Sequence, residues 1–172
     1  MDSTNLENVV LSKLYPFKNT DGQYCFINYH GSDNKLIING EAEVAYDTKN
    51  GVLMLNINKK SFCKNFFTFL DSLKETLVNI VCDKGIYGNI SLQTLSEFYV
   101  SPHKISKNGK DLLKCKCNGL FDRKTKVMVD IHISGMWFGK SSFGPYFTIT
   151  QIEKVQTICL IKEETDSDIE LI

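Results

Sequence analysis

Residues 112–133 read LLKCKCNGLFDRKTKVMVDIHI, and their periodicity sets the fold class. Leu113, Cys115 and Cys117 alternate with Lys114 and Lys116; further on, Val127, Val129, Ile131 and Ile133 alternate with Met128, Asp130 and His132. A period of two puts one set on each face of a strand, so both runs are half-buried strands whose lysines project outward. Asn118-Gly119 supplies turn chemistry between them. This predicts a hairpin whose connecting segment, LFDRKTK, carries Arg123, Lys124 and Lys126 into solvent.

Downstream, the segment SGMWFGKSSFGPYF (134–147) gathers Trp137, Phe138, Phe143 and Tyr146 with three glycines and Lys140. It reads as a loop before a final strand pair, Phe147–Ile152 and Val155–Ile161. Upstream, Gln23–Tyr29, Lys35–Ile38, Glu41–Tyr46 and Val52–Ile57 are short apolar stretches, with Asn39-Gly40 and Asn50-Gly51 as tight antiparallel turns. Between these halves the period changes. Phe62, Phe66, Phe69, Leu70, Leu73, Leu77, Ile80 and Val81 recur every three or four residues, which predicts one amphipathic helix of about twenty residues, begun near Asn58 or Ser61 and stopped by Gly85. Its aromatic stripe is core packing against a sheet rather than a ligand surface. Leu92–Val100 is irregular, and Pro102–Gly109 is a basic loop. Residues 1–162 therefore read as one domain, mainly β with one long helix, followed by a flexible acidic tail over 163–172.

The charge of the chain sums to zero over 172 residues, yet its distribution is uneven. Residues 1–55 carry four basic and seven acidic groups, residues 56–161 fifteen and eight, and the tail EETDSDIELI five acids. A basic region and an acidic tail on one chain point to an anionic partner. No apolar run reaches the roughly 18 residues of a membrane span, and MDSTNLENVV lacks the features of a signal peptide, so a soluble intracellular protein without a membrane partner is expected. The six cysteines lie mostly in apolar patterns and are expected to be reduced.

Familiar catalytic signatures are missing. Cys115 and Cys117 form one close pair without a second, and His103 and His132 stand apart, so neither a metal nor a cofactor is expected. There is no phosphate loop, HExxH, GxSxG or dinucleotide fingerprint. Asp122 and Asp130 for a magnesium nuclease, and Cys25 with His30 for thiol chemistry, are the enzyme alternatives, and both are poorly supported. The chain is read as not an enzyme.

Binding to single-stranded nucleic acid needs cations that track phosphates and rings on which bases stack. Lys104, Lys107, Lys110, Lys114, Lys116, Arg123, Lys124 and Lys126 supply the first, with Lys140 among the rings of Trp137, Phe138, Phe143 and Tyr146. Thr165 and Ser167 each precede an acid by three positions, which suits an acid-directed kinase and makes them candidate regulatory sites.

A strand-rich domain with one helix is compatible with the OB-fold, a five-stranded Greek-key barrel. The helix FLDSLKETLVNIV running into GIYGNI, the stretch LLKCKCNGLFDRKTKVMVDIHI, the segment GMWFGKSSFGPYFTITQI and the acidic end EETDSDIELI together resemble the single-stranded DNA-binding proteins of large DNA viruses, over roughly residues 60–172. The resemblance implies an OB-fold-like barrel that coats and protects displaced strands in viral DNA replication, recombination or repair. It implies no metal, assembly as a homo-oligomer or cooperative array, and a place in the host cytoplasm or nucleus at replication sites. Bases would stack on Trp137, Phe138, Phe143 and Tyr146, with Tyr87 and Phe121 as outer candidates, and the tail would offer itself to replication proteins. The alternatives are an RNA-binding protein of similar shape and a viral structural or host-interaction protein that binds no nucleic acid.

Overall fold

The computed structural model describes residues 6–18, 21–29, 37–57, 62 and 65–155. After a 3-10 turn at Leu6–Asn8 come strands β1 (Val9–Leu11), β2 (Tyr15–Pro16), β3 (Gln23–Tyr29), β4 (Ile37–Lys49) and β5 (Val52–Ile57). Helices α1 (Phe66–Asp83) and α2 (Leu92–Phe98) follow, then β6 (His103–Ile105), β7 (Asp111–Lys116), β8 (Lys126–Phe138) and β9 (Phe143–Lys154). With 48% of the described residues in strands and 21% helical, the protein is mainly β. Among the described residues the strands form a nine-stranded mixed sheet.

The pairings return on themselves. β4 pairs with β5, β5 with β7, β7 with β9 through the parallel bridge Lys116–Thr148, β9 with β8, and β8 again with β4. β8 is long enough to hold β4 along residues 126–132 and β3 along 135–138 on the same edge. β1 and β2 then add to β3.

Local chemistry fixes the corners. Asn50 and Gly51 both take positive φ, 54° and 74°, as a type I′ hairpin between β4 and β5 requires. α1 ends where Gly85 adopts φ +61°: its N–H donates to the Cys82 carbonyl and that of Ile86 to Val81, which satisfies the last carbonyls of the helix. One stripe of α1, including Phe66, Leu70, Leu73, Leu77 and Val81, joins a single buried cluster with Val44, Leu53, Leu55, Leu113, Val127, Val129, Ile131 and Ile133. Among the described residues no helix is long and apolar enough to cross a membrane.

Several sequence expectations change. The runs 113–117 and 127–133 are both strands but do not form a hairpin. β8 has β4 and β3 on one edge and β9 on the other, so β9 lies between it and β7. The connecting segment is tied to β4 instead, with Lys124 N–H donating to the Val44 carbonyl and Val44 N–H to that of Thr125. Asn39-Gly40 is not a turn, because β4 runs through it and Gly40 pairs with Val129. Leu92–Val100 is largely a second helix, so the helix of the sequence reading is not alone; Ser91 caps it by accepting from Thr94 N–H. The 134–147 segment is not a loop either. It is the end of β8, a short turn and the start of β9. The predicted helix starts Asn58 and Ser61, most of the predicted strand Val155–Ile161, and the acidic residues 163–172 with Thr165 and Ser167 lie outside the described residues.

Candidate nucleic-acid interface

β5 and β7 are in register as Val52–Lys116, Leu53–Cys115 and Met54–Lys114. Leu53 and Cys115 are buried, so Val52, Met54, Lys114 and Lys116 share the outward face. β6 adds Lys104 opposite Leu112. Beyond β7, the outward residues of β9 and the end of β8 complete a hollow of about 220 Å³, in which Lys104, Lys114 and Lys116 face Trp137 and Tyr146 across Val100–Pro102 and Pro145.

Trp137 reaches this face because β8 changes parity. Through Ile133 the odd-numbered residues point inward; after a register shift between Ile133 and Gly135 the buried positions are Met136 and Phe138. A bulge of this kind re-aims every later side chain. Gly135 is required there, since a Cβ would run into the Cys25 carbonyl oxygen of the neighbouring strand. Trp137 then pairs with Gly144 on one side and Tyr24 on the other. The indole lies against Gly144, where a Cβ would come to 3.4 Å of Cζ2 and Nε1 and collide with the Val100 carbonyl. Val100 N–H donates to the Phe143 carbonyl at 2.8 Å, and Lys114 N–H to that of Pro102 at 2.9 Å, so residues 100–102 are fastened as one wall of the hollow.

Lys116 and Tyr146 act as a pair. The Lys116 Nζ lies 3.9 Å from the Tyr146 ring centroid, a cation–π contact that holds the ammonium over the ring without neutralising it. Burial pushes the Tyr146 phenol above its ordinary pKa, so the ring stays neutral at physiological pH.

The other expected rings divide by strand parity. Phe138 and Phe143 are 3% and 0% exposed and stack on each other at 6.0 Å inside the core. The expectation that they offer faces to bases is therefore corrected: as alternating strand residues, they point inward. Tyr87 packs on Phe98, Phe138 and Phe143, and its hydroxyl lies 2.8 and 2.9 Å from the Gly139 and Ser142 carbonyls. It braces the β8–β9 turn. Phe121 folds over Gly119 in the β7–β8 connection, away from the residues of the hollow. Arg123, Lys124 and Lys126 are exposed along and just after that connection, Lys107 and Lys110 beside the turn after β6, and Lys140 on the β8–β9 turn; none of them lines the hollow.

A further group of rings was not singled out from the sequence. Tyr15, Phe17, Tyr24 and Phe26 pack together with centroid separations of 5.2–5.9 Å on the outward side of β2 and β3. Phe17, Tyr24 and Phe26 line a second hollow of about 250 Å³ with Ser134 and Gly135, and it shares Lys116 and Tyr146 with the first. The signal lay in QYCFINY, where Tyr24 and Phe26 alternate with the buried Cys25 and Ile27.

Burial pushes the Cys25 thiol up to about 11 and raises that of Cys115 as well, so both are neutral thiols at physiological pH. Among the described residues no three His, Cys, Asp or Glu side chains gather as a metal site. No family model, curated protein or solved structure matches the chain.

Proposed function

We propose that the protein binds single-stranded DNA across the outward face of β5, β7 and β9, without catalysing a reaction on it. The observation that carries this reading is the convergence of Lys104, Lys114 and Lys116 with Trp137 and Tyr146 on one hollow. Cations there meet phosphates, and an indole and a phenol offer flat faces to unpaired bases. A duplex keeps its bases stacked inside and leaves such rings without partners.

We further propose that the closed series of strand pairings is a Greek-key barrel of the OB type. The closed spatial order β4–β5–β7–β9–β8–β4 supports it: β4 and β5 form a hairpin, β7 joins β5 after the two helices and β6, and β8 returns to lie beside β4. Within this series β5 and β7 are the second and third strands, the face on which OB-folds hold oligonucleotides. The two helices fall between them. The biological role we assign is the coating of exposed strands in viral DNA replication, recombination or repair, by a homo-oligomer or cooperative array whose acidic end contacts replication proteins.

A titration of the full chain with single-stranded DNA, duplex DNA and RNA of equal length over a series of salt concentrations tests the reading. Expected are preference for the single DNA strand and a steep loss of affinity with salt, because each phosphate contact releases counterions. Equal or tighter binding to duplex, or binding indifferent to salt, overturns it; preference for the RNA strand transfers the groove to RNA.

A further inference from the structure

We infer that the groove continues past the Lys116–Tyr146 pair to the N-terminal strands, where Phe26 and Tyr146 flank a slot that takes one nucleobase of the same strand. The inference rests on the reading of the first hollow as a single-strand groove and extends it with a second stacking position that shares Tyr146 with the first.

Register builds the slot. Phe26 on β3 is paired with Gly135 on β8, and Gly135 with Tyr146 on β9, so a residue without a side chain stands between two rings on one row of the sheet. Two strand spacings, about 10 Å, separate the backbones of Phe26 and Tyr146, and their side chains rise roughly perpendicular to the sheet. A flat base spaced about 3.4 Å from each ring, the stacking distance of nucleic acids, fits in that interval. The bulge that makes Gly135 obligatory therefore also leaves the floor of the slot bare.

The core does not need the rings that line it. Cys25 and Ile27 are buried on the inward side of β3, while Phe26 remains 49% exposed. With Tyr15, Phe17 and Tyr24 it forms a contiguous aromatic surface. Phe26 is held in place by Tyr15 and Tyr24 at 5.8 and 5.9 Å, so little ordering is left for a ligand to impose.

Charge selects the occupant. Lys116 lines both hollows and places its ammonium over the Tyr146 ring between them. Lys13 lies 5.2 Å from the Tyr15 ring centroid, and Lys18 is exposed beside Phe17. Rings bordered by ammonium groups suit a polyanion carrying planar bases. From β7 across β9, β8 and β3 to β2 is four strand spacings, about 19 Å, room for at most about six nucleotides at stacked spacing.

The test uses the full chain and oligothymidylates of about ten nucleotides carrying one 2-aminopurine, moved position by position, whose fluorescence is quenched on stacking. Wild-type protein is expected to quench the probe at two separated positions. Phe26→Ala should abolish one of them and weaken binding about five- to 150-fold, with Phe26→Tyr restoring both. Phe26 is half exposed, so circular dichroism should match the wild type, and Met128→Ala on another part of the surface serves as control. If Phe26→Ala leaves both positions quenched while Trp137→Ala weakens binding, the extension is wrong and the first groove stands. Failure of the wild type to bind at all removes the groove reading and the extension with it. A concentration-dependent dimer that Phe26→Ala dissociates, with DNA affinity unchanged, assigns the rings to a second copy and overturns the inference.

Discussion

The strands that carry the lysine wall have a counterpart elsewhere in the same sheet. On β6, β7 and β9 the outward positions include Lys104, Lys114, Lys116 and Tyr146; on β4 and the first half of β8 they include Ile37, Asn39, Glu41, Glu43, Lys126, Met128, Asp130 and His132, with the Asn39 amide donating to the Asp130 carboxylate and Glu43 opposite Lys126. The inward positions of both regions are interchangeable in kind: Val44, Val127 and Val129 on one side, Leu113 and Cys115 on the other, all buried. Packing demands the inward set and leaves the outward set free, so the outward chemistry is where selection for a ligand can be read. A polyanion laid on this surface is drawn to one region and repelled by the other, which gives it a path rather than mere attachment.

The comparison depends on the core holding both faces in place, and the largest effect expected is its collapse. Phe143→Ala removes a ring that is 0% exposed and should cost about 3–5 kcal/mol, read as a lowered urea midpoint. A loss below about 1 kcal/mol would mean that Phe143 is not core and that parity does not sort the rings as described.

Trp137→Ala sharpens the contrast on the outward side. Binding to a single strand should weaken by about 1–3 kcal/mol with the salt slope kept, because a stacking face is lost and no phosphate contact goes with it. If the variant unfolds, the indole belongs to the core and the hollow loses its main stacking platform.

Charge substitutions have smaller effects and separate the two regions directly. Lys114→Ala combined with Lys116→Ala should lower the slope of log affinity against log salt by about 1.4, some 0.7 for each phosphate on a single strand. Glu41→Gln combined with Glu43→Gln, on the other region, should leave stability within about 0.5 kcal/mol and the slope unchanged. Equal changes of slope in both pairs would erase the distinction between the regions.

The same contrast explains what the sequence made legible. Lys114 and Lys116 could be placed outward from alternation alone, because their strand is regular and its inward residues are plainly apolar. The sequence marks the rings of 134–147 as unusual but does not sort them. The bulge at Gly135 inverts parity, and without it Phe138 would be placed on the outward side and Trp137 on the inward. Tyr24 and Phe26 merge into an apolar strand pattern, since an outward aromatic residue and a core one read alike until the partner strands are known. The expected hairpin failed for a related reason. Alternation identifies strands, whereas their neighbours depend on long-range pairing: β9, far along the chain, takes the place between β7 and β8.

The acidic segment gives the smallest predicted effect, and it turns on where β9 delivers the chain. Lys154 is paired with Val127 and Val155 N–H donates to the Lys126 carbonyl, so the chain passes residue 155 beside the exposed Arg123, Lys124 and Lys126 rather than beside the hollow. Arg123, Lys124 and Lys126 extend the positive surface beyond the hollow, and the same chain carries five acids over 163–172. A tethered anion at high local concentration competes with phosphates for such cations when salt is low and loses that advantage as the Debye length shrinks to about 8 Å at physiological ionic strength. Deleting 163–172 should therefore tighten single-strand binding in low salt, keep unfolding cooperative, and make little difference at high salt. Thr165→Asp combined with Ser167→Asp, which adds negative charge as phosphorylation would, should move affinity the other way. Affinities of the three proteins compared across salt decide the matter: identical values at low salt leave the segment free for a protein partner, and weaker binding after deletion contradicts competition with the strand.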